Sequence, residues 1–205
     1  MLEKEISFEP VLLSLNGDQL QSEFLAINPF HHVPAIVDQG FRVIESLAIL
    51  DYLETKYPAP ALLPTEAEAL AVVRMVQMTV TNELFPKAIS LMFETEDSPK
   101  LLQAKEHINQ VLVFLTECLG NSPYFASKQL TLADIVAGTD MSLLSKLGFS
   151  FNNYPKLKDW FERLMQREVW QRTELSQEDF EKFKRVLRML HRRKLNQENK
   201  VNNHE

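Results

Sequence analysis

The spacing of apolar residues changes character along the chain. Residues 6 to 15, ISFEPVLLSL, set β-branched and other apolar side chains around a proline and run into Asn16-Gly17-Asp18, which predicts an edge-type strand and a turn. A short helix is expected at about 19 to 26. HVPAIVDQ and GFRVI then read as two short strands around Asp38-Gln39-Gly40, a composition that suits an antiparallel hairpin. From Ser46 the period lengthens, because Leu47, Leu50, Leu53 and Tyr57 recur every three or four residues, as on one face of a helix. Pro58 and Pro60 must end that helix, since proline has no amide proton and its ring clashes with the preceding turn.

Residues 58 to 65 carry three prolines and no periodicity, and read as a linker. Everything beyond is predicted helical. Leu70, Val73, Val76, Val80 and Leu84 mark one face of a long helix over Glu66 to Glu94, which Pro86 should bend. Ser98-Pro99 is a cap with proline at the first helical position, and Leu101, Ile108, Val111, Leu115 and Leu119 carry that helix to Gly120. Thr131-Leu132-Ala133-Asp134 has the form of a capping box, with Leu130 and Ile135 spaced for a hydrophobic staple. Further helices are expected after Tyr154-Pro155 and after Leu175, the last with acids in its first turn and arginines toward its far end. The final LNQENKVNNHE has little to bury and is expected to be disordered.

Composition narrows the chemistry. A chain of 205 residues with 45% hydrophobic content can bury a core, and its net charge of −6 disfavours nucleic acid or an anionic membrane as the main partner. The basic run RVLRMLHRRK reads as the solvated face of the last helix. The single cysteine, Cys118, cannot form an internal disulfide and reads as a small core residue. With no secretory leader pattern and no apolar run long enough to span a membrane, a cytoplasmic protein is expected.

The most informative stretch is NPFHHVPAIVDQGFRVIES, residues 28 to 46. Val33-Pro34, a β-branched residue before a proline between extended segments, predicts a cis bond that leaves the Val33 amide and carbonyl facing outward, ready to hold another peptide. Glu45 and Ser46 stand at a helix entrance, where free amides and the helix dipole favour a bound anion. There the Ser46 hydroxyl and amide suit a carboxylate, Glu45 suits an ammonium group, and His31 or His32 suits a second carboxylate. Without cysteine or carboxylate company the two histidines make a poor metal site, so no metal is expected. Each feature also has a plainer role: a turn, a helix cap, exposed loop residues.

Three motifs in the same order, NPFHHVPAIVD with ESLAILDYL, YFASKQLTLADI and YPKLKDWFERL, resemble the cytosolic glutathione transferases over roughly residues 2 to 172. The resemblance implies α/β plus all-α architecture: an incomplete thioredoxin-like domain over 1 to 58, a linker over 59 to 65, an all-helical domain over 66 to 195 and a disordered tail over 196 to 205. It implies glutathione as co-substrate, a small-molecule electrophile as second substrate, and a homodimer. Val33 resembles the residue whose main chain pairs with the cysteinyl part of glutathione, and Pro34 the family's cis proline. Glu45 and Ser46 resemble the pair that binds the γ-glutamyl head, and His31 and His32 match positions near the glycyl carboxylate. Leu47 stands where some members carry arginine. Phe85, Met92 and Phe93 are expected either to line an apolar acceptor pocket or to pack between helices.

The family pattern starts with a strand and helix that present a serine, tyrosine or cysteine to the glutathione sulfur. Met1 to Lys4 already resembles the end of that helix, so the first strand and the sulfur's hydrogen-bond donor are expected in a longer product, upstream of Met1. The chain as given is expected to bind glutathione without appreciable conjugation. A non-catalytic interaction module on the same fold is the competing expectation.

Overall fold

The computed structural model describes residues 1–14, 17–95 and 98–202, with side chains up to residue 189. A 3-10 turn, Leu2–Lys4, leads into residues 6 to 14, which form no strand, contrary to the pattern's prediction; Leu15 lies outside the described residues. The physical reason is the lack of a partner. Pro10 has no amide to donate, Val11 and Leu12 are 80% and 92% exposed, and a cavity of about 620 Å³ separates this segment from the hairpin.

After a second 3-10 turn, Asp18–Leu20, comes the single-turn helix α1 (Ser22–Leu25), and then β1 (Ala35–Asp38) and β2 (Phe41–Ile44). The strands pair antiparallel in the register Ala35↔Ile44, Ile36↔Val43, Val37↔Arg42, Asp38↔Phe41. Gln39 and Gly40 both take positive φ, 52° and 82°, as a two-residue hairpin turn matched to strand twist requires. Helix α2 (Ser46–Lys56) lies against this hairpin, burying Ile49 and Leu53. The Asp38 carboxylate fastens the two together, accepting from Lys56 Nζ at 2.7 Å, Tyr52 Oη at 3.0 Å and Tyr57 Oη at 3.3 Å.

The expected long helix is broken near Pro86: α3 (Ala67–Thr79) passes into a π-helical turn, Val80–Leu84, and continues as α4 (Phe85–Ser90). The widened turn sits just where a proline deletes one helical hydrogen bond and needs room for its ring. Val73, Val76, Val80 and Leu84 from this run are fully buried. They pack with Ile108, Leu112 and Leu115 of α5 (Pro99–Leu119) and with Ala133, Ala137, Met141 and Leu144 of α6 (Leu132–Lys146). At roughly 1.5–3 kcal/mol for each large aliphatic side chain, this layer dominates the stability of the helical domain.

The predicted capping box at the start of α6 is formed and does more than cap. Asp134 is fully buried; one carboxylate oxygen accepts from the Thr131 amide (2.7 Å) and hydroxyl (2.8 Å), the other from the Phe125 amide (3.0 Å) and Trp160 Nε1 (2.8 Å). Trp160 belongs to α7 (Pro155–Met165), so one side chain locks a loop, a helix start and a neighbouring helix. A short helix that periodicity does not reveal, α8 (Glu168–Thr173), is held from both sides. Arg167 binds Glu3 through two hydrogen bonds of 2.9 and 2.6 Å, and Trp170 closes over Gly138, where a built Cβ would lie 2.6 Å from its ring.

The last helix, α9 (Gln177–Asn202), begins as expected, with the Asp179 amide donating to Ser176 Oγ at 3.1 Å. It continues helical to Asn202, past residue 195 where order was expected to end; residues 203 to 205 lie outside the described residues. Once a helix is nucleated, each added residue gains a backbone bond without a new nucleation cost. The N-terminal portion is tied to the helical domain by Arg74 Nη1 on Asp51 (2.6 Å), by the Leu132 amide on the Leu62 carbonyl (2.9 Å), and by the Glu3–Arg167 pair. Buried Lys4 bonds both Glu54 and the Pro60 carbonyl at 2.6 Å, which pins the linker to α2.

Candidate functional site

The hairpin register brings the predicted site residues together. Ala35 pairs with Ile44, so Val33-Pro34 at the start of β1 and Glu45-Ser46 at the end of β2 project from the same end of the hairpin, about one strand spacing apart. All four are exposed, as are His31 and His32. The Val33–Pro34 peptide is cis, as expected, and so is Ala59–Pro60. Among the described residues no hydrogen bond engages the Val33 amide or carbonyl.

Ser46 opens α2 with no side-chain cap from the protein itself. The Glu45 carbonyl accepts the Ile49 amide at 2.9 Å, and the amides of Ser46, Leu47 and Ala48 have no partner among the described residues. Three free N–H groups on the first turn of an eleven-residue helix, beside a serine hydroxyl, form an entrance of the kind whose dipole and donors suit an anion. Glu45 itself has φ 68° and ψ 122°, outside the ordinary basins for a residue with a Cβ, which turns the chain sharply from strand into helix.

Asn28 is the part of the site whose role periodicity did not reveal. Fully buried, its amide donates to the His32 carbonyl at 2.8 Å and its carbonyl accepts from the Phe30 amide at 2.9 Å. His31, at φ 61°, donates its amide to the Asn28 carbonyl at 3.2 Å. The buried asparagine thus shapes the turn that presents both histidines. Its signal in the sequence is Asn-Pro, a turn-initiating pair directly ahead of Phe30-His31-His32. Arg42 of β2 adds a second brace through the Ala26 carbonyl.

The three residues expected at an acceptor pocket divide. Phe85 is 46% exposed and lines a cavity of about 420 Å³ beneath α9, together with Leu143, Trp170 and Phe180. Met92 is buried, its carbonyl accepting Arg188 Nε at 3.4 Å, and Phe93 is half-buried; neither lines this cavity. Cys118 is half-buried against the core, where burial pushes its thiol up from the ordinary range. No helix among the described residues is long and apolar enough to cross a membrane.

A two-stranded hairpin and helix whose ends meet at an exposed, uncapped helix entrance, linked to an all-helical domain, define a two-domain protein of thioredoxin-like plus helical type. The chain belongs to the glutathione S-transferase family. The family models for the glutathione S-transferase N-terminal and C-terminal domains match residues 1–61 and 67–168. Glutathione S-transferase D7 of Drosophila melanogaster is 32% identical over 152 residues, 72% of this chain and 67% of that protein. Glutathione S-transferase hmp2 of Hypomyces subiculosus is 30% identical over 187 residues, 83% of this chain and 88% of that protein. The solved structure of glutathione transferase E6 from Drosophila melanogaster superposes with a TM-score of 0.72 at 26% identity, covering 83% of this chain and 81% of that one.

Proposed function

We propose that the end of the hairpin holds glutathione, with the cysteinyl main chain on Val33 and the γ-glutamyl carboxylate on the Ser46 hydroxyl and the free amides of α2. The observation that carries this reading is the register of β1 and β2, which sets an unbonded stretch of backbone beside an uncapped helix entrance. Two main-chain hydrogen bonds and an anion site at that separation suit a tripeptide with an amino-acid head. Glu45 meets the ammonium group of that head. His31 and His32, on the far side of Val33, meet the glycyl carboxylate.

The reaction is attack of the glutathione thiolate on an electrophilic carbon of a small molecule, wherever the family's N-terminal strand and helix supply the donor that steadies the sulfur anion. Phe85, on the 420 Å³ cavity, contacts the electrophile. The protein works in the cytosol as a homodimer; Met75 and Met78, 46% and 51% exposed on α3, supply apolar surface for the partner.

Calorimetric titration of the chain with glutathione tests the site. Ser46→Ala removes a hydrogen bond to a charged group and should weaken binding by roughly ten- to a hundredfold, at about 1.5–3 kcal/mol. An unchanged Kd in that variant would remove the reading.

A further inference from the structure

The cavity beneath α9 contains one feature that apolar packing does not explain. Asp140 of α6 lines it and is only 8% exposed, yet neither carboxylate oxygen has a hydrogen bond or ion pair among the described residues, and Oδ1 is fully buried. Buried acids are normally paired, because an isolated charge in an apolar site loses its hydration with nothing in return. Among the described residues the one basic residue lining the cavity, Lys146, is engaged by other groups of the wall, with its ammonium on Glu174 Oε1 at 3.1 Å and on the Leu175 carbonyl at 3.0 Å. The rest of the wall is mainly apolar and aromatic, with Phe85, Leu143, Met165, Trp170 and Phe183, and its other polar members, Thr139, Ser142, Thr173 and Glu174, make no bond to the acid. Trp170 Nε1 is also buried and has no partner among the described residues.

We propose that this cavity binds an apolar molecule carrying a basic nitrogen, with the hydrocarbon body against the aromatic wall and the protonated nitrogen on the Asp140 carboxylate. The volume, about 420 Å³, lies in the range of small-ligand sites. The surrounding rings favour a cation a second time, because their faces carry negative charge density. Burial pushes the Asp140 carboxyl up to about 7, as befits an acid with no partner of its own, and an arriving ammonium group supplies the missing one. The proposal deepens the acceptor-pocket reading and rests on it for what becomes of the ligand, not for its binding.

The test uses the full chain and three probes of one shape: 1-naphthylmethylamine, 1-naphthylmethanol and 1-naphthoate, titrated at neutral pH by calorimetry. The amine should bind at least tenfold more tightly than the alcohol, and the naphthoate more weakly than both. Asp140→Asn should bring amine affinity down to that of the alcohol while leaving alcohol affinity within about twofold. Asp140→Leu, a second variant with no polar group at the site, should do the same. Equal binding of amine and alcohol by the unmodified chain, binding of neither, or a preference that survives both variants would overturn the proposal. S-hexylglutathione added as competitor separates the two readings. If it fails to displace the amine while the amine preference depends on Asp140, the cavity is an amine site and the acceptor-pocket reading is lost.

Discussion

Single side chains set the character of both sites. Asn28 is fully buried and makes both of its bonds within the turn that carries His31 and His32, so Asn28→Ala leaves the Phe30 amide and the His32 carbonyl without their partner. The expected cost is about 1–3 kcal/mol in urea unfolding, together with weaker glutathione binding because the histidine turn loosens. Unchanged stability would mean that the turn holds itself. Asp140 acts with opposite sign to an ordinary surface acid. Its carboxyl titrates at about 7 in the folded protein against 3.8 when unrestrained, so between those values the native state holds a proton that the unfolded chain releases. Its contribution is therefore most favourable at low pH and is lost as pH rises through about 7, by on the order of 4 kcal/mol. The other titratable groups lining the cavity, Lys146 and Glu174, are paired with each other. Unfolding curves of the parent and of Asp140→Asn should converge near pH 4 and separate toward pH 8, with the variant more stable. Parallel curves would show that the acid is satisfied in the native state.

At the scale of elements, what was legible followed from how local each determinant is. The hairpin, α2, the cap at Ser98 and the box at Thr131 are each decided by residues a few positions apart, and each stands where the pattern placed it. Residues 6 to 14 were misread because strand pairing depends on a neighbouring ladder, which apolar content alone does not reveal. Helix α8 was invisible for the converse reason. Its six residues carry no period of their own and are held by distant contacts, Arg167 with Glu3 and Trp170 with Gly138. Within the candidate site, Val33, Pro34, Glu45 and Ser46 stand out through their motif, whereas the pairing that sets them side by side needs the register. The contact at Gly138 yields its own prediction. An added Cβ would lie 2.3 Å from Leu164 Cδ2 and 2.6 Å from the Trp170 ring, so Gly138→Ala should destabilise the fold by roughly 1–3 kcal/mol. Trp170 fluorescence should shift as α8 is pushed outward; a melting temperature equal to that of the parent would mean that α8 yields freely.

At the scale of the whole molecule, a small hairpin unit with little core of its own is anchored on a large helical domain through Arg74, Arg167 and the Leu62 carbonyl. The division suits the proposed work: the hairpin end stays exposed for a polar tripeptide, while the helical domain provides a largely apolar cavity for a second ligand. The exposed face of α3 carries Met75 and Met78, and Met75→Glu with Met78→Glu should convert the proposed dimer to monomer in sedimentation equilibrium. A dimer that survives both substitutions would place the contact elsewhere. The central claim, that glutathione lies from Val33 to the first turn of α2, is tested most directly by a crystal structure of the chain grown with glutathione. The account predicts the tripeptide's cysteinyl backbone bonded to the Val33 main chain and its γ-glutamyl carboxylate on Ser46 and the α2 amides. Glutathione bound away from the hairpin end, or a Ser46 amide turned from the ligand, would contradict it.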